Sequence, residues 1–245
     1  LVETIRIEGP PVIPCLITSY NQLSMLRGMV KDCFRLGLDP VVVDNGSTYP
    51  PLLEWLDTNP CQVERLGDNF GPNAAWTFGV IWRLMKEKSG YYIVTDGDLD
   101  LSGIPDDAAD VLVKTFEANP QVTKVGFSLE IDDLPDNPLT EEVRNHEAQF
   151  WTGVRDDGHY DAAIDTTFAL YHTDRKFEAP AYAEFFTAIR LGRPYTARHV
   201  PWYLDFENPT DEQRYCLEKT DDHLSVWSTK IKRRLSGVSD ETPPA

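Results

Sequence analysis

Tyr91-Tyr92-Ile93-Val94-Thr95-Asp96-Gly97-Asp98-Leu99-Asp100 is an apolar, β-forming run that delivers three aspartates at alternate positions. If the run stays extended to its end, side chains two apart face the same way, and Asp96, Asp98 and Asp100 converge at a strand end. Crowded carboxylates repel one another unless a cation lies among them. The stretch therefore implies a divalent metal site. Mg²⁺ and Mn²⁺ take one or two carboxylates and complete their shell with water and phosphate oxygens, so a phosphorylated ligand is expected. A polar turn explains one or two Asp beside a Gly, but not three on one face.

Working outward, the run is the last of four strand-like segments separated by helical ones. Pro11 to Thr18 reads as a strand, and Gln22 to Leu36 as a helix with Leu26, Met29, Val30 and Cys33 on one face. Pro40 to Asp44 is a strand, Pro51 to Leu56 a short helix, Gln62 to Leu66 a strand and Pro72 to Lys88 a helix that Gly90 stops. This βαβαβαβ order predicts an α/β fold with a mostly parallel, doubly wound sheet, because parallel neighbours need crossover helices. Ligands of such sheets bind beyond the carboxyl ends of the strands. Those ends are Thr18 to Asn21, Asp44 to Ser47, Asp68 to Gly71 and Asp96 to Asp100, all polar.

Beyond Asp100 the spacing predicts a helix from Pro105 to Ala118, a strand from Lys124 to Ile131, an irregular acceptor-facing stretch from Leu134 to His159, and a buried strand from Ala162 to His172 that carries Asp165. The tail from Val238 reads as disordered.

The chain has 245 residues, 41% of them hydrophobic, which suffices for a sizeable core. Its net charge of −17 argues against nucleic acid or an anionic membrane as the main partner. A small anion held through a metal stays compatible with that charge. Cys15, Cys33, Cys61 and Cys216 form no CxxC pair, so neither a zinc site nor a disulfide scaffold is indicated. There is neither an apolar run of about 18 residues nor a charged-then-apolar leader, so no transmembrane segment or signal peptide is expected, and the expected location is cytoplasmic. An opening Leu1 rather than Met suits a domain of a longer polypeptide.

Three motifs stand in order at strand ends: Ile17-Thr18-Ser19-Tyr20-Asn21, Val43-Asp44-Asn45-Gly46-Ser47-Thr48 and Asp96-Gly97-Asp98. With them the chain resembles the GT-A-fold glycosyltransferases, and is similar to glycosyltransferase family 2, over about residues 11–205. The resemblance implies a single GT-A (Rossmann-like) domain over 1–237, a mostly parallel central sheet flanked by helices, and a tail at 238–245. It also implies a Mn²⁺- or Mg²⁺-dependent transfer of sugar from a nucleoside-diphosphate sugar, UDP by default, to a glycan or other hydroxyl acceptor. Carried over by motif, Thr18, Tyr20 and Asn21 line the nucleotide pocket and Asp44, with Asn45, meets the base or ribose. Asn69 and Asn73 complete that wall, though either could instead cap a helix. Asp98 is the implied metal ligand, joined by Asp100 and by the late His199, while Asp96 reaches the ribose or a metal-bound water.

An inverting transfer needs a carboxylate to take the acceptor proton. Asp165 falls at the separation from Asp96-Gly97-Asp98 that the resemblance implies, with Asp133, at the end of the preceding strand, as the alternative. The family's usual Glu-Asp pair on a helix after the last core strand is not evident. A haloacid-dehalogenase-like phosphatase would carry its Asp-x-Asp on the first strand, and a sugar-1-phosphate nucleotidyltransferase would need a Gly-rich, Arg-containing loop between Thr18 and Met25. A non-catalytic nucleotide-sugar or glycan-binding module is the reading from outside enzymology.

Overall fold

A computed structural model describes residues 12–86, 90–175, 187–222 and 224–237 of the protein. The first half alternates as expected: β1 (Pro14–Ser19), α1 (Leu23–Arg35), β2 (Asp39–Asp44), α2 (Pro50–Thr58), β3 (Gln62–Arg65), α3 (Ala74–Thr77), α4 (Val80–Met85) and β4 (Tyr91–Asp96). The second half adds β5 (Leu99–Asp100), α5 (Ala108–Ala118), β6 (Lys124–Leu129), α6 (Thr140–Glu147), β7 (Tyr160–Asp161) and β8 (Ala169–His172). It ends with β9 (Ala188–His199), α7 (Asp211–Lys219) and α8 (Val226–Leu235).

The described strands form one sheet in the order β3-β2-β1-β4-β8-β6-β9-β5, with β7 added on β9. β1 pairs parallel with β2 and β4, β2 with β3, and β6 with β9. Because β8 lies antiparallel between β4 and β6, those two strands point the same way, and the sheet is mostly parallel. The result is a Rossmann-like α/β domain. Alternation along each strand splits the core across the sheet: Cys15, Ile17, Val42 and Ile93 pack with α1, α2 and α5, while Leu16, Val43 and Val94 pack with α3 and α4. Strands buried on both faces read as continuous apolar runs, and each fully buried aliphatic side chain contributes about 1.5–3 kcal/mol.

Three expectations need correction. The helix foreseen from Pro72 to Lys88 is two short helices, α3 and α4, parted by Gly79 at φ 64°; Lys88 lies outside the described residues. The stretch from Leu134 to His159 is not wholly irregular, since α6 and a 3-10 turn at Ala148–Trp151 occupy part of it. The strand foreseen over Ala162 to His172 shortens to β8, and Asp165 is exposed in the irregular approach to it. Pro11 and the tail from Val238 lie outside the described residues. Among those described, no helix is long and apolar enough to cross a membrane.

The turn after β2 has one demanding position. Gly46 adopts φ +77°, and a Cβ there would stand 2.4 Å from the Asp68 carbonyl carbon, a backbone atom that cannot swing away. Gly46→Ala should combine the left-handed penalty of about 1–2 kcal/mol with that clash. The expected loss is at least about 2 kcal/mol in urea unfolding, read as a lower midpoint at unchanged slope; a midpoint equal to wild type would show that the turn relaxes freely.

Candidate active site

The carboxyl ends of β1 and β4 are level, with Thr18 beside Asp96, and the chain then does not stay extended. It turns at Gly97-Asp98, where a Cβ on Gly97 would lie 3.0 Å from the Thr18 carbonyl oxygen. The turn hands the chain to β5, which pairs antiparallel with the end of β9 so that Leu99 faces His199 and Asp100 faces Arg198. This pairing brings the His199 Nε2 to 3.5 Å from Asp98 Oδ2, and the Val200 N–H donates to the Asp98 carbonyl at 2.9 Å.

Asp96 is held by the segment that leads into β8, the strand next to β4. Its N–H donates to the Thr166 carbonyl at 3.1 Å, and the Thr166 hydroxyl donates to its Oδ2 at 2.7 Å. Burial, then the charge of Asp98, pushes the Asp96 carboxyl well above the ordinary carboxylate range, against the pull of the Thr166 hydroxyl. The same docking places Asp165 at the cleft, one oxygen accepting from the Thr167 N–H at 3.1 Å.

These residues line a cleft of about 550 Å³, closed on its far side by α6, the Val200–Tyr203 turn, α7 and α8. Thr18 Oγ1, Ser19 Oγ, Asp98 Oδ1, Thr167 Oγ1, His199 Nδ1 and Trp202 Nε1 are buried here with no hydrogen-bond partner among the described residues. Such a concentration of unpartnered polar atoms costs stability unless a ligand satisfies them, and so marks a binding site. Among the described residues no three His, Cys, Asp or Glu side chains stand together as a metal-holding group. The pair Asp98 and His199 instead offers one carboxylate and one imidazole. That donor set fits a divalent cation that draws its other ligands from phosphate and water.

Asp100 does not join Asp96 and Asp98, because the turn sends it along β5. Its Oδ2 lies 3.7 Å from Arg198 Nη1, its Oδ1 accepts from Ser102 N–H, and it lines a neighbouring hollow with Asp32 and Glu212. Asp133 is likewise turned away. Arg198 donates to its Oδ2 at 2.6 Å and the Tyr203 hydroxyl to its Oδ1, so both oxygens are engaged, and it is not among the residues lining the cleft.

The nucleotide-wall residues divide the same way. Asp44 and Asn21 are buried and stay off the cleft lining, because each serves the turn after β2: Asp44 accepts from Ser47 N–H, and Asn21 accepts from the Thr48 and Tyr49 N–H groups. Asn45 and Asn69 do reach the cleft, but as a latch, with Asn45 Nδ2 donating to Asn69 Oδ1 at 2.9 Å and to the Gly71 carbonyl at 3.0 Å. Asn73 lines the cleft with no helix-capping bond of its own. Tyr20 lines it too, its hydroxyl donating to the Lys219 carbonyl of α7 at 3.0 Å.

Sequence reasoning missed the far wall. Glu147, at the end of α6, lines the cleft with a buried side chain and accepts from Arg190 Nη1 at 2.9 Å, the guanidinium also being buried. Burial pushes the Glu147 carboxyl above its ordinary value although Arg190 pulls it down. Its signal was present: Leu139, Val143 and Glu147 recur every fourth residue on a buried helix face, and an acid in such a stripe calls for a partner. α7 also announced itself through Thr210 and Gln213, which form a reciprocal capping box.

No family model matches the chain, and no curated protein sequence matches it. Among solved structures it is similar to S. aureus TarS 1-349, with 12% identity over 94% of this chain and 73% of that one and a TM-score of 0.46. It is also similar to 4-diphosphocytidyl-2C-methyl-D-erythritol synthase from Anaerococcus prevotii, with 10% identity over 84% of this chain and 96% of that one and a TM-score of 0.42. At this level neither structure says what this chain binds or does.

The buried Glu147–Arg190 pair ties α6 to β9. Glu147→Ala leaves a buried guanidinium without its counter-charge and should cost about 3–5 kcal/mol of unfolding free energy. Urea titration measures this; a loss under about 1 kcal/mol would mean that Arg190 finds water or another partner.

Proposed function

We propose that the protein is a metal-dependent glycosyltransferase that moves a sugar from a nucleoside-diphosphate sugar, UDP-linked by preference, to a hydroxyl acceptor with inversion. The observation that carries this reading is the meeting of Asp98 and His199 beside Asp96, amid unpartnered buried donors and acceptors, at the carboxyl ends of β1 and β4.

Charge makes the metal part of the proposal. Asp96, Asp98, Glu147, Asp165 and Glu212 all line the cleft, whereas Lys230 is the one Lys or Arg among the described lining residues and is ion-paired with Glu142. A diphosphate is repelled by such a surface unless a cation enters with it. Mn²⁺ or Mg²⁺ held by Asp98 and His199 would neutralise the charge that develops on the leaving diphosphate. The hydroxyls of Thr18 and Ser19 supply hydrogen bonds to the nucleotide, and Asp96, oriented by Thr166, accepts from the ribose or from bound water. Asp165 is the base of this reading, since it is exposed at the cleft with one carboxylate oxygen uncommitted among the described residues, whereas Glu147 is tied to Arg190.

Three variants test it. UDP should bind the wild-type protein only with Mn²⁺ or Mg²⁺ present, and Asp98→Ala should abolish both that binding and turnover; calorimetric binding of UDP that survives a chelator would remove the metal from the mechanism. His199→Ala should weaken metal-dependent UDP affinity by about 10–100-fold, the range seen when a metal site is compromised. Asp165→Asn keeps the side chain's size but cannot take a proton, so UDP-sugar binding should persist while transfer falls by about 10²–10⁴. Transfer at the wild-type rate in that variant would move the base elsewhere.

A further inference from the structure

The far wall of the cleft differs in chemistry from the strand-end side. Trp202 is 2% exposed, its ring 4.6 Å from His199 and 5.5 Å from Trp227, and its indole N–H has no partner among the described residues. Half-buried Trp227 also meets His146 edge-on at 5.7 Å, and Leu217 and Leu224 extend the same surface. Lys230, the one Lys or Arg among the described lining residues, lies over the Trp227 ring at 4.6 Å with its charge already matched by Glu142.

An aromatic wall bordered by carboxylates selects against anions and for a neutral molecule with one apolar face. Sugars in the pyranose form have such a face in their C–H groups, and their hydroxyls can use an indole N–H and carboxylate oxygens. Asp165 lies within electrostatic reach of both Asp96 and the far-wall Glu147, and Glu147 of His199, so the carboxylate that would deprotonate an incoming hydroxyl is close to this wall and to the metal pair. Resting on the function proposed above, we infer that this wall is the acceptor subsite and that its occupant is an uncharged pyranoside packed against Trp227. A phosphorylated acceptor would bring its charge beside Glu147, Asp165 and Glu212, where Lys230, the one Lys or Arg among the described lining residues, is already paired with Glu142.

The test is calorimetry on the wild-type chain with UDP and Mn²⁺ present, titrating cellobiose, maltose and chitobiose and then the 6-phosphates of the same sugars. At least one neutral disaccharide should bind, and its 6-phosphate at least about tenfold more weakly, because like charges across an interface are strongly penalised. Trp227→Ala should weaken that disaccharide about tenfold and Trp227→Phe should recover most of the affinity. Equal or tighter binding of the phosphates, no binding of any neutral sugar, or full affinity in Trp227→Ala overturns the inference. Should Trp227→Ala fail to fold, the wild-type comparison and Trp227→Phe still decide. Failure of UDP to bind the wild-type chain with Mn²⁺ sinks the glycosyltransferase reading itself, whereas UDP binding without the neutral-sugar preference sinks only the acceptor assignment.

Discussion

Two carboxylates held side by side at the end of a buried strand resist being there, and much of this molecule is arranged around that repulsion. Asp96 and Asp98 are adjacent because β4 is buried on both faces and ends in a turn that the small Gly97 permits against Thr18. Thr166 stabilises one of the two by donating a hydrogen bond, and β9 carries an imidazole to the other. Neither contact is local in sequence. Each requires the sheet to be complete, so the fold's more distant strands are also the site's supports.

Much of the first half was legible in the sequence. Apolar runs such as Cys15-Leu16-Ile17 and Val41-Val42-Val43, with periodic Leu26, Met29, Val30 and Cys33 between them, leave little freedom over element type or order. The polar strand ends followed from the same pattern. The assumption that failed was an extended chain through Asp100, because one turn at Gly97-Asp98 reverses which side the third aspartate faces.

Asp44 and Asn21 show a different ambiguity. The side chains that bind ligands at strand ends are the same types that bond their own turns, and here both engage the turn after β2 through Ser47, Thr48 and Tyr49. β9 runs through Arg190, Gly192 and Pro194, residue types that weaken a strand signal, and its length comes from pairing with β6, β7 and β5. Asp165 drew attention as an acid in an apparent core strand; the structure leaves it exposed, and its interest now lies in its position at the cleft.

The roof over the cleft is fastened to its floor by bonds that span nearly the whole chain. Tyr20 meets Lys219 across 199 positions, Ser24 meets Glu212 across 188, and Thr48 meets Tyr215 across 167. The β1, β2 and β3 pairings close far shorter loops. Closing long loops costs more entropy and slows contact formation. The floor of the cleft comes from β1 and β4 in the first half of the chain, and α7 and α8 from its last part complete the container. Ile231 of α8 and Trp202 belong to the same buried cluster as the strands, so the roof is packed into the core as well as bonded across it, and the two ends of the chain are joined in one body at the cleft.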